Sequence, residues 1–165
     1  MLKTKKYNFS ELTSMTLDGM YEGDFITLKN LDKNLISIIE TEAPITLNTL
    51  KQRLRTAFNV KKISQKALDI IEEHINKLGF YITDNLYDKV YWPRKGQFKI
   101  DYLRVDGDRL IYDIPYQELI NLAKSLNLRG EVLYREILKY FGFEVLTEKA
   151  RTYLEFVEEK VHEKD

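Results

Sequence analysis

The 165-residue sequence predicts a mostly α-helical fold with small β-hairpins, in which one three-helix unit is followed by a second, similar unit. Three observations support this class of fold. Apolar residues recur every three or four positions in several segments, as in helices with one buried face. Two pairs of β-prone runs flank turn sequences between those segments. The chain also resembles itself at an offset of 83 residues, which indicates an internal repeat.

The repeat rests on apolar positions that keep the same phase in both copies. The stretch AFNVKKISQKA is echoed by YFGFEVLTEKA, so that Phe58 aligns with Phe141 and Asn59 with Gly142. Asparagine and glycine best tolerate the left-handed conformation in which many helices end. We therefore expect a helix to end at both places, with Phe58 and Phe141 buried and with positive φ at Asn59 and Gly142.

Three helices are expected in the first unit. Asp32 is predicted to cap the first, whose apolar stripe follows at once, and Thr46 is predicted to cap the second. Ser64 is the predicted N-cap of the third helix, which Gly79 ends. The apolar positions that define these helices are Leu35, Ile36 and Ile39, then Leu47, Leu50, Leu54 and Phe58, then Ala67, Ile70, Ile71, Ile75 and Leu78.

Two hairpins are predicted between the units. The runs 80–83 and 89–92 are joined by the polar segment DNLYD, which indicates a hairpin directly after the third helix. Three helices followed by such a wing are typical of a winged helix. Asp106-Gly107 stands between alternating apolar and polar residues and is a strong hairpin signal. Pro115 suits the first turn of the helix that follows.

The expected organisation has four parts. Residues 1–31 lack a sustained period and are predicted to form an irregular arm, packed through Tyr7, Phe9, Leu12 and Phe25. A winged-helix unit (32–95), a connecting β-hairpin (96–114) and a second three-helix unit (115–165) should follow. Thr147 aligns with Ser64 as an N-cap, and residues 33–92 are expected to superpose on residues 116–161.

Composition excludes several kinds of protein chemistry. Without cysteine the chain has no disulfide, no thiolate nucleophile and no cysteine-zinc site. No apolar run approaches the roughly 20 residues of a membrane span, and the first residues lack the apolar core of a signal peptide. We therefore expect a cytoplasmic protein that does not bind membranes.

Catalytic and metal-binding patterns are not evident. His74 and His162 lack metal-ligand spacing and are better explained as structural or surface residues. Asp106 and Asp108 lack the rest of a calcium-loop pattern, and Ser64 is better explained as an N-cap than as a nucleophile. We therefore expect no enzyme activity and no cofactor.

The distribution of charge is more informative than the net charge of zero. No acidic residue lies between Glu42 and Asp69, whereas the last 22 residues carry seven acidic and four basic side chains. Basic and polar residues in a winged helix can meet a nucleic-acid backbone and groove. The candidate nucleic-acid-binding residues in the first unit are Lys51, Arg53 and Arg55 on the solvent side of the second helix, Lys61 and Lys62 in the turn, Gln65 and Lys66 at the start of the third helix, and Lys89, Arg94 and Lys95 in the wing.

Three segments resemble a known family. LISIIETEAPITLNTLKQRLRTAFNVKKISQKALDIIEEHI, VYWP and IPYQELINLAKSL are similar to the winged-helix domain of unknown function near the C-terminal end of very large bacterial proteins related to superfamily I DNA helicases. That family has an EGPI-like opening, a W-P after the wing and an IP-x-E-(L/I) start of the next helical unit. The matching residues here are Glu42-Ala43-Pro44-Ile45, Trp92-Pro93, and Ile114-Pro115 with Glu118 and Leu119.

The resemblance covers roughly residues 33 to 160 and implies a fold more than a chemistry. Larger members of the family carry helicase and nuclease-like regions, whereas this sequence has no G-x-x-x-x-G-K-[ST] phosphate loop. The chain is then either a piece of a longer protein or a stand-alone relative.

Two functions remain open. The first is a non-catalytic winged-helix module that binds nucleic acid, most simply duplex DNA, through its first unit and is accessory to helicase- or nuclease-type machinery. The second is a docking module that binds protein and not nucleic acid. The acidic second unit is expected to contact another domain of the same chain or a protein partner, which favours the second function.

Overall fold

A computed structural model describes residues 1–96 and 98–163 of the chain. This part is mostly helical with short strands, as the sequence predicts. Its elements in chain order are β1 (Lys3–Lys6), α1 (Leu17–Tyr21), α2 (Phe25–Glu42), β2 (Ile45–Thr46), α3 (Leu47–Phe58), α4 (Gln65–Leu78), β3 (Tyr81–Asp84), β4 (Lys89–Trp92), β5 (Tyr102–Val105), a 3₁₀ helix (Ile111–Asp113), α5 (Tyr116–Leu126), α6 (Gly130–Tyr140) and α7 (Glu148–His162).

The first half of the chain packs α2, α3 and α4 around one apolar core. Leu35, Leu54 and Ile71, one from each helix, are fully buried in it. A three-stranded antiparallel sheet in the order β2-β4-β3 covers the end of this core, with Tyr91 of β4 paired to both Ile45 and Ile82. The hairpin predicted after the third helix is therefore confirmed, with its first strand one residue later than expected.

The predicted helix ends are confirmed at several positions. The hydroxyls of Thr46, Ser64 and Thr147 accept hydrogen bonds from backbone N–H groups three residues ahead, which satisfies donors that a helix start leaves unpaired. Asn59 has φ of 55° and Gly142 has φ of 80°, so both left-handed turns are present. The caps thus form where the local sequence places them.

The second half has a core of its own, formed by α5, α6 and α7. The bounds of α6 and α7 lie 83 residues after those of α3 and α4, to within one residue at each end. Phe58 is 5% exposed, as expected, but Phe141 is only half-buried at the edge of the second core. The superposition of the two units stays a prediction.

The irregular arm predicted for residues 1–31 is wrong, because this stretch contains β1, α1 and the first turns of α2. Asp24, not Asp32, caps α2, since its carboxylate accepts the N–H of Thr27 at 2.9 Å. The sequence concealed this start because Phe25 and Ile26 are 77% and 67% exposed and break the apolar period. Of the packing residues predicted for the arm, Tyr7 is buried and Leu12 is half-buried, but Phe9 and Phe25 are exposed.

The hairpin predicted for residues 96–114 is also wrong. β5 pairs in parallel with β1, so that Lys3 lies opposite Tyr102 and Lys6 opposite Val105. The chain does turn at Asp106, whose φ is 63°, but it continues into a 3₁₀ helix instead of a returning strand. Gly107 packs against the ring of Tyr7, where a Cβ atom would lie 2.9 Å from the ring.

A buried ion-pair network connects residues on both sides of this turn to α5. Glu118 of α5 is fully buried and accepts hydrogen bonds from the guanidinium groups of Arg104 and Arg109. Arg104 also donates to the carbonyl groups of Glu42 and Pro44, at the end of α2. The network therefore ties the second core to the first.

Candidate nucleic-acid interface

Part of the predicted basic surface is present at the turn between α3 and α4. Lys61 and Lys62 are exposed in this turn, and Lys66 is exposed in the first turn of α4. None of the three forms an ion pair with a carboxylate in the part of the chain that the structure describes. The ammonium group of Lys66 lies 4.6 Å from the ring centroid of Tyr21, a cation–π contact that leaves its charge uncompensated.

The N-terminus of α4 adds positive potential to this surface. A helix start carries a partial positive charge and unpaired N–H groups, which favour an anion nearby. Ser64 satisfies one of these groups, from Ala67, and the hydroxyl groups of Ser64 and Tyr21 lie 3.2 Å apart. We name Lys61, Lys62 and Lys66 together the lysine surface.

Acidic groups limit the extent of this surface in three dimensions. Gln65, a predicted contact residue, donates to the carboxylate of Asp69 at 2.7 Å. Tyr21 brings α1 beside the start of α4, and α1 carries Asp18 and is followed by Glu22. The acid-free window in the sequence is therefore not acid-free in space.

Arg53 does not belong to the surface, contrary to prediction. Its guanidinium donates to the carboxylate of Glu42 at 3.0 Å and to the carbonyl of Ser10 at 2.7 Å, and its side chain is only 14% exposed. Glu42 is fully buried and also accepts the hydroxyl hydrogens of Tyr7 and Ser10. Arg53 thus neutralises a buried carboxylate and fastens the N-terminal segment.

Lys51 and Arg55 are half-buried on α3, and Lys51 has acidic neighbours. Lys51 lines a cavity of about 270 Å³ together with Asp88 and Asp113. Asp88 accepts the backbone N–H of Asn48 in the first turn of α3, and burial raises the pKa of both carboxyl groups. Lys51 therefore shares this cavity with two carboxyl groups that lie far from it in sequence.

The predicted wing residues are exposed but lie apart from the lysine surface. Lys89 lines a small cavity with Glu72 and Asn76 from the C-terminal half of α4, and Arg94 and Lys95 follow β4. Glu72 and Asn76 lie about 9–15 Å along α4 from Lys66. Arg94 and Lys95 follow Trp92, which pairs with Tyr81 just after the end of α4. The predicted wing residues are therefore separate from the lysine surface.

The histidines have no metal site around them. His74 Nδ1 lies 2.7 Å from a carboxylate oxygen of Asp32, and this pair joins α4 to α2. Within residues 1–96 and 98–163, no group of three or more histidine, aspartate or glutamate side chains is arranged to hold a metal ion. Among the described helices, none is both long and apolar enough to cross a membrane.

One cavity has no counterpart in the sequence-based prediction. It lies between β3, the segment 98–100 and the helices α5 and α7, and the buried Gln117 lines it. A glutamine in the first turn of a helix gives no sequence signal of burial, because such positions are usually exposed. The burial of Gln117 becomes apparent only from the packing of the two halves of the chain.

Comparison with known proteins does not assign the chain to a family. No family description, no curated protein and no solved structure matches it.

Proposed function

We propose that the chain is a non-catalytic winged-helix module that binds duplex nucleic acid, most simply DNA, through the lysine surface. The observation that carries this proposal is that Lys61, Lys62 and Lys66 lie at a helix N-terminus and have no carboxylate partner within residues 1–96 and 98–163. Lysine side chains and helix starts both attract phosphate groups, and each phosphate contact releases counterions. A phosphate backbone is the ligand that such a surface fits best.

The order of the elements supports the proposal. Helix α2, strand β2, helices α3 and α4, and the hairpin β3–β4 follow one another as the helices and wing of a winged helix do. The resemblance of the sequence to a helicase-associated winged-helix domain points to the same role, accessory to helicase- or nuclease-type machinery in the cytoplasm. Because a fold does not determine a function by itself, the lysine surface is the part of the chain to test.

The test is a triple charge reversal of the lysine surface. Lys61→Glu, Lys62→Glu and Lys66→Glu together should abolish binding to a fluorescent DNA duplex in an anisotropy titration between about 50 and 200 mM salt. All three side chains are exposed, so far-UV circular dichroism should remain unchanged. For the parent protein, three phosphate contacts predict a slope of log affinity against log salt of about −2.7.

The control reverses three exposed lysines elsewhere. Lys29→Glu and Lys33→Glu on α2, with Lys139→Glu on α6, change the net charge by the same amount. This variant should keep most of the binding, because attraction at the lysine surface is local at these salt concentrations. Equal affinity of the parent and the lysine-surface variant would eliminate the proposal.

A protein-docking module is the second candidate. Phe25 and Ile26 expose most of their side chains in the first turn of α2, and adjacent exposed apolar groups are typical of contact surfaces. If the parent protein binds no duplex even at 50 mM salt, docking becomes the better explanation.

A further inference from the structure

A groove of about 390 Å³ lies at the C-terminal end of α6. One wall is the turn 104–110, and the other is formed by Tyr140, Phe141 and Phe143. Leu110 and Tyr140, on opposite walls, are 45% and 44% exposed, so the groove is open to solvent in the described part of the chain. We name it the α6 groove.

The first unit shows how the corresponding helix end is covered. Tyr140 and Phe141 stand 83 residues after Ala57 and Phe58, at the end of α3. The backbone N–H of Met15 donates to the carbonyl of Ala57 at 3.1 Å. The Met15 side chain is buried in the first core together with Ala57 and Phe58, which are both 5% exposed. A non-helical segment therefore covers the end of α3 with one main-chain hydrogen bond and one apolar side chain.

The end of α6 lacks both of these contacts. No backbone N–H among the described residues donates to the carbonyl of Tyr140. The Tyr140 side chain is 44% exposed where Ala57 is buried, and Phe141 is only half-buried where Phe58 is buried. The second unit thus presents an open helix end and partly exposed aromatic rings at the positions that the first unit covers with its own chain.

The charges beside the groove favour a basic ligand. Asp106 and Asp108 are exposed in the turn that forms one wall, and neither has an ion-pair partner within residues 1–96 and 98–163. Arg104 and Arg109 belong to the same wall, but their guanidinium groups are buried and paired with Glu118. The C-terminal end of α6 adds a partial negative charge. The exposed charge around the opening is therefore negative, and complementary charge favours a basic partner.

We propose that the α6 groove binds a non-helical segment of a partner protein that carries one apolar anchor, of about the size of methionine, between basic residues. The anchor packs against Phe141 and Phe143, and its backbone N–H donates to the carbonyl of Tyr140, as Met15 does to Ala57. Basic side chains on either side meet Asp106 and Asp108. None of these residues belongs to the lysine surface, so the proposal does not depend on nucleic-acid binding.

The test is a fluorescence anisotropy titration of the labelled peptide Lys-Lys-Leu-Thr-Ser-Met-Thr-Lys with the whole chain. The peptide keeps the order of residues 12–16 around its methionine and replaces the flanks by lysine. We expect saturable binding at low salt with a Kd below about 1 mM. Tyr140→Ala should weaken binding about fivefold or more, as loss of an aromatic contact at an interface often does. The same peptide with N-methylmethionine should also bind more weakly, because it has no N–H to donate to the carbonyl of Tyr140.

A charge variant tests the acidic wall. Asp106→Asn with Asp108→Asn removes both charges but keeps a residue type that tolerates the φ values of 63° and 50° at these positions. It should weaken binding about threefold or more at low salt and less at high salt. Asp18→Asn with Asp84→Asn changes two exposed carboxylates outside the groove and is the matched control, which should leave binding unchanged.

Three results would overturn the proposal. The first is a peptide that does not saturate the parent chain up to about 1 mM. The second is a peptide that binds Tyr140→Ala and the charge variant as tightly as it binds the parent. The third is a dimer of the chain alone, seen in sedimentation and abolished by Tyr140→Ala, which would identify a second copy as the occupant. Each result would leave the lysine-surface proposal unaffected, because duplex binding is measured separately.

Discussion

Replacing Glu118 by glutamine should destabilise the chain strongly. Glu118 is fully buried and is the common acceptor for Arg104 and Arg109, at 2.8 Å and 2.6 Å for the closest pairs. Glutamine has nearly the same shape but no charge, so the substitution leaves two buried guanidinium groups without a counter-charge. Breaking a buried ion pair from one side costs about 3–5 kcal/mol.

The pKa of Glu118 indicates how strongly the folded chain favours the ionised carboxylate. Burial by itself would raise this pKa, but the charges of Arg109 and Arg104 overcome burial and hold the pKa at about 2. The ordinary value for a glutamate carboxyl is 4.5. A depression of this size corresponds to about 3 kcal/mol of folding free energy near neutral pH.

The sign of the pH dependence follows from this depression. Because the folded-state pKa lies below the unfolded-state pKa, the stabilisation is complete above about pH 4.5 and is lost as the pH falls toward 2. A protonated glutamate resembles glutamine. The gap in unfolding free energy between the parent and Glu118→Gln should therefore narrow by about 2 kcal/mol between pH 7 and pH 3.

Urea denaturation followed by circular dichroism at pH 7, 5 and 3 measures this gap. Glu131→Gln is the control, because Glu131 pairs with Arg135 and Arg151 at an exposed site where ion pairs contribute little. If the gap for Glu118→Gln stays constant down to pH 3, or if that variant is as stable as the parent at pH 7, the charge of Glu118 does not stabilise the junction.

Three further perturbations test the fold. Phe58→Ala should lower the unfolding free energy by about 3–5 kcal/mol in urea denaturation, because it empties space in the first core; a loss below about 1 kcal/mol would contradict its buried position. Gly142→Val should lower the melting temperature because a β-branched residue is strained at φ of 80°, whereas Gly142→Asn should be tolerated. Asp113→Asn should stabilise the chain at pH 7, because burial raises the pKa of this carboxyl and its ionised form is disfavoured in the folded state. That gain should disappear below the ordinary pKa, and a loss of stability at pH 7 would show that the charge of Asp113 is needed.

Features with a local cause could be predicted from the sequence. The N-caps at Thr46, Ser64 and Thr147 form because a hydroxyl group and a backbone N–H three residues away need no distant partner. The left-handed turns at Asn59 and Gly142 depend on the conformational freedom of one residue each. The spacing of apolar residues every three or four positions likewise predicted α3, α4, α6 and α7, because a helix with one buried face has apolar residues at this spacing.

The candidate nucleic-acid interface could be predicted only in part. Lys61, Lys62 and Lys66 were recognisable because they lie in and just after a polar turn, where side chains remain in solvent. The sequence does not distinguish Arg53 from these lysines, because the carboxylate of Glu42 that it neutralises belongs to another helix. A count of charges along the sequence omits the carboxylates that folding places beside a basic residue.

The sequence by itself determined where most of these helices begin and end, because caps, turns and apolar periods act over three or four residues. Only the tertiary structure decided which distant segments meet: β1 with β5, Arg104 and Arg109 with Glu118, and the hairpin with α5 around Gln117. Parallel strand pairing, buried charge compensation and cavity shape arise between residues far apart in sequence, where no local pattern specifies the partner.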